Sequence, residues 1–266
     1  MSKRTAFAAV LAAATLALTA CGSDEPSDAE TTAGGSGASA EAGVLRVGTE
    51  GTYSPFSFHD TATGELTGYD VDVITAVADH LGMEVEFSEV PWDAIFAGLE
   101  SGRYDVIANQ VSLTPEREEL YDFTAPYTVS TGAIVTRADD TSISSLADLA
   151  GKTSAQSSTS NWAAVATEAG AQVEAVEGFT QAVTLLKQGR VDVTVNDSLA
   201  VLNYLASTED TDVQIAGETD DTTEQAFALA KDSDLTEQID TALDELRADG
   251  TLAEISDEWF GADVTQ

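Results

Sequence analysis

The sequence predicts an α/β protein built from two similar lobes that face a common cleft. Strand-like and helix-like segments alternate from residue 44 onward, as they do in α/β folds. The pattern LxxGRxDVxxN occurs at residues 99–109 and again at 186–196, and GxxVE occurs at 82–86 and again at 170–174. In each copy a helix ends at a glycine and leads into a strand whose far end carries polar residues. Because ligands of open α/β sheets lie outside the carboxyl ends of strands, the repeat predicts one binding cleft.

The first unit is predicted to contain three strands and two helices. The alternation of elements places strands at residues 44–49, 84–90 and 104–108, the last of which contains the β-branched neighbours Val106 and Ile107. Helical spacing of apolar residues places helices at residues 71–81 and 93–100. The third strand is expected to end at its last alanine, so that the polar residues after it form a loop at the cleft.

The stretch DVIANQVSLTPER, residues 105–117, is the main candidate for a binding site. Thr114 suits the N-cap of a helix and Pro115 suits its first position. Free N–H groups and the positive end of the helix dipole would then face the segment around Ser112. Arg117 lies one turn further on and offers a planar fork of donors, so together these groups suit a carboxylate. The alternative is an ordinary strand–loop–helix joint, with Arg117 solvated or paired to a neighbouring glutamate.

The second unit and the C-terminal part continue the alternation. A short strand beginning near Lys152 leads into polar residues 156–161, which offer hydroxyls and N–H groups to the cleft. Residues 225–230 are predicted to form a strand that returns to the first lobe. Residues 235–246 and 252–259 follow as amphipathic helices separated by a glycine.

The chain begins with a predicted export signal. Lys3 and Arg4 precede an apolar run that ends in Leu-Thr-Ala-Cys, and Cys21 is the only cysteine in the chain. The run is shorter than the ~20 apolar residues that a spanning helix needs, so residues 1–20 are interpreted as a signal peptide. The ending resembles a bacterial lipobox, in which Cys21 becomes lipidated; plain secretion is the alternative. Residues 21–43 contain no aromatic residue and are predicted to be a flexible tether.

Composition narrows the possible functions. The chain has 11 cationic and 47 acidic residues, a formal net charge of −36 that falls by two to −38 without the signal peptide. So acidic a protein is a poor partner for nucleic acids or anionic membrane surfaces. A hydrolase is disfavoured, because His59 and His80 are the only histidines and neither falls in a nucleophile or metal motif. No cofactor and no metal are expected.

The cleft is expected to hold aromatic rings and opposite charges. Tyr53 and Trp92 come from separate loops of the first lobe, where their rings could enclose the apolar part of a small ligand. Core packing is the alternative for each, and it is the preferred interpretation of Phe179, which occupies the echo position of Trp92. Asp197 faces the same gap from the second lobe. A carboxylate at Asp197 opposite the guanidinium of Arg117 fits a zwitterion, which indicates an α-amino acid.

The chain resembles the family 3 extracytoplasmic solute-binding proteins of amino-acid ABC importers. The matching segments are LRVGTEGTYSPFSF, GYDVDVITAVADHLG, VPWDAIFAGLESGRYDVIANQVSLTPERE, YDFTAPY, GRVDVTVNDSLA and DGTLAEISDEWFG. The resemblance implies a two-lobe type II periplasmic-binding-protein fold, with lobes joined by two crossing strands. Lobe 1 would comprise residues 44–130 and 225–266, and lobe 2 residues 131–224. It also implies delivery of a free amino acid to an ABC permease by a protein anchored through Cys21 to the outer face of the cell membrane. We expect a monomer.

The resemblance also implies roles for individual residues. By motif position, Arg117 resembles the residue that grips the ligand α-carboxylate, assisted by Ser112 and Thr159. Asp197 resembles the acceptor of the α-ammonium group. The other expected ligand contacts are the stacking pair Tyr53 and Trp92, Glu50 at the side-chain end of the ligand, and the polar residues Asn109 and Gln110.

The segments ANQVSLTPER, AQSSTSNW and TVNDSLAVL look most like the cystine-binding branch of the family, so cystine is the favoured ligand and other polar amino acids stay open. Glu50 would repel an acidic ligand side chain and accept a distal ammonium or amide; a solvated loop carboxylate is the alternative. Residues 156–158 lack the glycine common at that point in the wider family, which leaves the second-lobe contacts open. The competing function is dehydration of an amino-acid precursor, since a fold alone does not determine function. A sensory ectodomain would need a spanning helix.

Overall fold

A computed structural model describes residues 43–266. The predicted signal peptide (residues 1–20), the predicted lipidation at Cys21 and the tether up to residue 42 lie outside the described residues. Within residues 43–266, no helix combines the length and the apolar character needed to cross a membrane.

Residues 43–266 contain twelve strands and eight α-helices. The strands are β1 (Val44–Thr49), β2 (Thr52–Tyr53), β3 (Ser57–His59), β4 (Leu66–Thr67), β5 (Glu84–Glu89), β6 (Val106–Ser112), β7 (Tyr121–Phe123), β8 (Thr128–Arg137), β9 (Thr153–Gln156), β10 (Gln172–Ala175), β11 (Thr194–Asp197) and β12 (Val213–Ala230). The helices are α1 (Tyr69–Leu81), α2 (Trp92–Glu100), α3 (Pro115–Leu120), α4 (Asn161–Glu168), α5 (Phe179–Lys187), α6 (Ser198–Thr208), α7 (Thr236–Asp249) and α8 (Thr251–Phe260).

The first lobe is built around β1, which pairs in parallel with β5 on one side and β6 on the other. Successive side chains of β6 enter two different clusters. Val106 and Ala108 pack with β1, α1 and α7, whereas Ile107 packs with Ile95 and Leu99 of α2. Both faces of this sheet are therefore covered by helices, so residues of β6 that point in opposite directions are both buried. We call the residues packed around these two clusters the first lobe.

The second lobe repeats this arrangement on a smaller scale. Its strand β9 pairs in parallel with β10, and its strand β11 pairs antiparallel with β8. Alternate residues of β8 again enter separate clusters: Ala133 and Val135 pack with Val183 of α5, and Ile134 packs with Trp162 of α4. The period of two that characterises a strand thus supplies a core on each face.

Two long strands, β8 and β12, connect the lobes. β12 runs for 18 residues and pairs antiparallel with β8 in the second lobe and with β6 and β7 in the first. Its register with β8 shifts between Glu218 and Thr222. Helix α6 also contacts both lobes, because Ala200 belongs to a first-lobe cluster and Val201 to a second-lobe cluster. The predicted fold class, an α/β protein with two lobes joined by two crossing strands, is confirmed.

One predicted boundary is wrong in a way that matters for the site. The third strand was expected at residues 104–108, but β6 runs from Val106 to Ser112, so that Asn109 and Gln110 lie within a strand rather than in a loop. The strand continues because Ser112 pairs with Gln225 of β12. A partner more than 100 residues away supplies these backbone hydrogen bonds, and the polar local sequence carries no sign of it.

Candidate functional site

Helix α3 begins as its sequence predicts. Thr114 is the N-cap, with Oγ1 accepting a hydrogen bond from the Arg117 N–H at 3.3 Å, and Pro115 occupies the first position. The Arg117 side chain turns back over this joint, where Nη1 donates to the Ser112 carbonyl oxygen at 2.9 Å. The guanidinium is thereby held at the junction of β6 and α3.

The surroundings of Arg117 keep it charged and unpaired. Its Cζ lies 5.3 Å from the ring centroid of Trp92 and 5.4 Å from that of Phe96, a cation–π geometry. Burial lowers the pKa of Arg117 to about 10, which leaves it cationic at neutral pH. Among the ion pairs that arginines form within residues 43–266, none involves Arg117. The alternative of pairing with a neighbouring glutamate is therefore not seen, and the guanidinium is suited to an anion from outside.

A cavity of about 690 Å³ lies between the lobes. This volume falls in the range of about 300–1,000 Å³ typical of small-molecule sites. The first lobe lines it with Glu50, Thr52, Tyr53, Glu89, Val90, Pro91, Trp92, Asn109 and Gln110, and polar residues of the second lobe that line it include Gln156, Ser157, Ser160, Asn161, Glu177, Thr180, Gln181 and Asn196. Polar groups thus converge on the cavity from both sides.

The nine residues predicted to bind a ligand fall into two groups. Five of them line the cavity, namely Glu50, Tyr53, Trp92, Asn109 and Gln110. The other four, Ser112, Arg117, Thr159 and Asp197, are not among its lining residues. Three of these four adjoin lining residues: Arg117 packs on Trp92, Thr159 precedes Ser160, and Asp197 follows Asn196.

Glu50 and Asn109 form one polar network at the end of β1. The Asn109 Nδ2 donates to the Glu50 carboxylate at 2.7 Å, while Asn109 Oδ1 accepts from the Glu50 N–H at 2.8 Å and from the Thr49 hydroxyl at 3.1 Å. Burial raises the pKa of Glu50 to about 7, and the bond from Asn109 opposes that rise. Glu50 is thus an acid at the cavity wall that titrates near neutrality, rather than a solvated loop carboxylate.

Asp197 is a buried acid on the opposite lobe. It is 2% exposed and caps α6, with Oδ1 accepting from the Leu199 N–H at 2.8 Å and the other oxygen accepting from the Ser130 hydroxyl. Burial raises its pKa to about 6. No ion pair formed by the described residues includes it. A buried carboxylate without a cation is costly unless a positive group joins it, so the position suits an ammonium ion.

A third buried acid, Asp70, was missed by the sequence reasoning. It accepts hydrogen bonds from the Gln110 N–H at 2.8 Å, from Gln110 Nε2 at 2.6 Å and from the Tyr127 hydroxyl at 3.0 Å. These bonds hold Gln110 at φ +50°, which few residues other than glycine adopt. Burial raises the pKa of Asp70 to about 7. Asp70 lies in the motif GYDVD, but the motif does not reveal what its side chain contacts.

Four hydrogen-bonded contacts join the lobes beside the cavity. The Tyr53 hydroxyl donates to Asn196 Oδ1 at 2.8 Å, and the Ser54 hydroxyl donates to Asn203 Oδ1 at 3.1 Å. Thr159 provides the other two: it donates to Asp93 through its N–H and hydroxyl, and its carbonyl oxygen accepts from Arg117 Nη2 at 3.1 Å. Asp93 and Asn196 were not among the predicted site residues.

The aromatic residues have mixed roles. Trp92 lines the cavity and is also 8% exposed in a first-lobe cluster, so the packing and site interpretations both apply. Its Nε1 has no hydrogen-bond partner among the described residues. Phe179 packs edge-to-face on Tyr204 in a second-lobe cluster, with 5.6 Å between ring centroids, which agrees with the core-packing interpretation. It also lines the cavity.

Comparison with known proteins identifies what this arrangement is similar to. The family model of bacterial extracellular solute-binding proteins, family 3, matches residues 45–262. The L-cystine-binding protein TcyA of Bacillus subtilis (strain 168) is 54% identical over 225 residues, which cover 84% of this chain and 84% of that protein.

Two solved structures bear on the arrangement of the lobes. An ancestral arginine-binding protein bound to arginine is 39% identical, with a TM-score of 0.77, over 82% of this chain and 99% of its own. The L-cystine solute receptor of Neisseria gonorrhoeae in the unliganded open conformation is 44% identical, over 85% and 96% of the two chains, but has a TM-score of 0.58. The more similar sequence thus has the lower TM-score, and the structure with bound ligand has the higher one.

Proposed function

Because this chain belongs to the family 3 bacterial extracellular solute-binding proteins, we propose that it binds L-cystine outside the cytoplasm and delivers it to an ABC importer. The family covers the binding of amino acids for such importers. The choice of cystine is supported by 54% identity to a protein named for binding it. The same relatives favour binding over the competing function, dehydration of an amino-acid precursor, and the protein is proposed not to be an enzyme.

One observation about the site carries the proposal. Acids that form no ion pair within residues 43–266 lie on both sides of the cleft, at the half-buried Glu50 on the first lobe and at the buried Asp197 on the second. Both carboxylates act on Tyr53. The pKa of Tyr53 lies well above its usual range, first because the side chain is buried and then because of the charges of Asp197 and Glu50. Arg117 supplies the positive charge. The site therefore suits a ligand with two ammonium groups and at least one carboxylate, which cystine is.

Each group then has a defined part in binding. Arg117 uses two of its five N–H donors on the carbonyl oxygens of Ser112 and Thr159, and its other donors are available for the ligand α-carboxylate. Asp197 accepts the α-ammonium group and Glu50 accepts the ammonium at the far end. Tyr53 and Trp92 flank the apolar middle of the ligand, where the disulfide lies.

We propose that the lobes close on the ligand by bending of the two crossing strands, near residues 128–133 and 223–227. Lobe 1 would comprise residues 44–130 and 225–266, and lobe 2 residues 131–224. The register shifts of β12 lie beside these segments. The contrast between the two solved structures, 0.77 against 0.58 in TM-score, supports a change in lobe arrangement between ligand-bound and open forms.

Calorimetry with the full chain tests the ligand. L-Cystine should bind more tightly than L-arginine, L-glutamine and L-glutamate, and mass spectrometry should recover it unchanged. Tighter binding of arginine or glutamate would contradict the choice of cystine, while the carboxylate site at Arg117 would stand. Recovery of a converted product would instead mean that the protein is an enzyme and would contradict this proposal.

The proposed location is the outer face of the cell membrane, with a lipid on Cys21 and with the protein acting as a monomer. In a fractionation experiment, Cys21→Ser should release the protein from membranes into the soluble fraction. Equal membrane association of both forms would contradict the anchor and leave the ligand assignment untouched.

A further inference from the structure

Thr159 is held by the other lobe through every polar group it has. It lies on the second lobe, between β9 and α4. Its N–H and its hydroxyl both donate to Asp93 Oδ1, at 3.3 and 2.9 Å, and its carbonyl oxygen accepts from Arg117 Nη2 at 3.1 Å. Both partners belong to the first lobe. The hydroxyl that the resemblance assigned to the ligand is thus bonded to protein.

Asp93 is placed for this contact and for no other that the described residues show. It follows Trp92 in the first turn of α2 but, unlike Trp92, is exposed and does not line the cavity. It therefore touches the opposite lobe at the rim of the cleft, outside the volume that a ligand would fill. In the described part of the chain its carboxylate has no ion pair.

We infer that Asp93 is a positioning residue that clasps the second lobe through Thr159 and thereby sets how long the closed protein retains its ligand. The inference deepens the proposed function and rests on it for the ligand used below. Two donors share one charged oxygen, and hydrogen bonds to charged groups are stronger than neutral ones. The bonds break when the lobes separate, so they oppose opening rather than assist the first encounter with ligand.

Two of the three other rim contacts differ in kind from that of Asp93, and the third, from Arg117 Nη2 to the Thr159 carbonyl oxygen, also involves a charge. Tyr53 with Asn196 and Ser54 with Asn203 are single bonds between neutral groups. Neutral hydrogen bonds contribute less than charge-assisted ones, so Asp93 should contribute more to retention than Ser54. If the effects on ligand retention follow this order, retention depends mainly on the contact between Asp93 and Thr159 and not equally on all rim contacts.

The test is the rate at which L-cystine dissociates from the full chain, measured by stopped flow at one salt concentration. Asp93→Ala should raise the dissociation rate about tenfold, the lower end of what a single hydrogen bond to a charged group contributes, because both bonds lie at an exposed site and compete with water. The association rate should change by less than about twofold. Asp93→Asn, which keeps the oxygen and loses the charge, should fall between Asp93→Ala and wild type, and Ser54→Ala should change dissociation less than either.

Two further variants control for charge and test the partner of Asp93. Asp79→Ala removes an equally exposed carboxylate from the first lobe, on α1 and away from the cleft, and should leave dissociation unchanged. Thr159→Val removes the hydroxyl partner. If the clasp is the Asp93–Thr159 contact, the double variant Asp93→Ala/Thr159→Val should dissociate much more slowly than the product of the two single effects predicts. Additive effects would contradict the clasp.

A second readout separates failure of the clasp from failure of the cystine proposal. Spin labels at Glu65→Cys in the first lobe and Gln188→Cys in the second, in a Cys21→Ser background, report the lobe separation without ligand. Asp93→Ala should shift the distance distribution toward longer separations. Cystine that fails to bind wild type would overturn the proposed ligand and leave this shift as the test. An unchanged distribution, or dissociation within twofold of wild type, would overturn the clasp.

Discussion

The two copies of LxxGRxDVxxN allow one sequence pattern to be compared in two lobes. Their first parts are nearly superimposable in local structure. Gly102 and Gly189 have φ values of +68° and +67°, a left-handed conformation that suits glycine after a helix. In each copy the aspartate N–H donates to a strand carbonyl at 2.8 Å and its carboxylate accepts from the N–H of the same strand residue, at 3.1 Å in one copy and 2.9 Å in the other.

The last residue of the pattern behaves differently in the two lobes. Asn109 bonds to Thr49, Ser57 and Glu50, all in its own lobe. Asn196 accepts from Tyr53 across the cleft. A pattern therefore determines the joint that it forms by itself, while the partner of a side chain at the strand end depends on what the rest of the chain brings there. The asparagine of the first copy thus bonds within its own lobe, and the asparagine of the second copy bonds to the other lobe.

The largest expected effect is on ligand affinity, and it comes from removing the charged groups on the two sides of the cleft. Arg117→Ala should weaken cystine binding by about 2–5 kcal/mol, the usual cost of truncating one member of a buried charged pair, or roughly 30- to several-thousand-fold in Kd. Asp197→Asn should weaken it less, because the amide oxygen can still cap α6 and accept from the ligand. Calorimetry checks both, with Arg190→Ala, an exposed arginine of the second copy, as the control. Values for Arg117→Ala and Asp197→Asn within twofold of wild type would remove both residues from the site.

The next effect should separate the two asparagines. Asn109→Ala leaves Glu50 and Thr49 without buried partners, so it should lower the free energy of unfolding by about 1–3 kcal/mol. Asn196→Ala should lower it by less, because the Asn196 side chain accepts two hydrogen bonds, from the Tyr53 hydroxyl and the Asp197 N–H, whereas that of Asn109 takes part in four. Urea unfolding of the ligand-free proteins measures both values. Equal losses would mean that the two asparagines contribute equally to stability, which would contradict the difference between their hydrogen-bond partners.

A smaller effect is expected from pH. With a pKa of about 7, Glu50 is mostly neutral at pH 6 and mostly ionised at pH 8. If only the carboxylate holds the distal ammonium, affinity for cystine should rise by up to ~10-fold over this interval, from the ionised fractions of Glu50 alone. Competition binding at both pH values checks this, and Glu50→Gln should reduce the rise to the about twofold that Asp197, with a pKa of about 6, leaves over the same interval. A larger pH dependence that survives in Glu50→Gln would assign it elsewhere.

The same protonation has the opposite sign for stability without ligand. A buried acid with a raised pKa keeps its proton in the folded state at pH values where the unfolded chain has lost it. The stability that Glu50 and Asp197 contribute is therefore present below pH of about 4 and lost as pH rises to about 7 and 6, respectively. The melting temperature of the ligand-free protein should fall less steeply over this interval in Glu50→Gln than in wild type.

The smallest effect tests where the two copies are alike. An added Cβ at Gly102 or Gly189 meets nothing within 4 Å, so Gly102→Ala and Gly189→Ala cost only backbone strain. Each should destabilise its lobe by about 1 kcal/mol, and by similar amounts. Thermal unfolding of the two variants checks this. A much larger loss in one lobe would show that the glycines differ in packing as well as in backbone conformation.

Several features of this protein could be determined from the sequence alone. The two-lobe α/β fold follows from the repeat and from apolar periodicity, and the start of α3 follows from Thr114 and Pro115. These features depend on neighbours within a few residues, so the physical reason for them is present in the local sequence. The resemblance to a family then supplied the candidate ligand contacts, of which Glu50 and Asn109 prove to lie together at the cavity.

Only the tertiary structure decided the rest. The extension of β6 to Ser112 needs the backbone of β12, and the left-handed Gln110 needs the carboxylate of Asp70, 40 residues earlier. The contact between Asp93 and Thr159 joins residues 66 positions apart in different lobes. Each of these depends on a hydrogen-bond partner that chain folding brings close, and a polar residue shows by its type that it needs such a partner but not which one it will find.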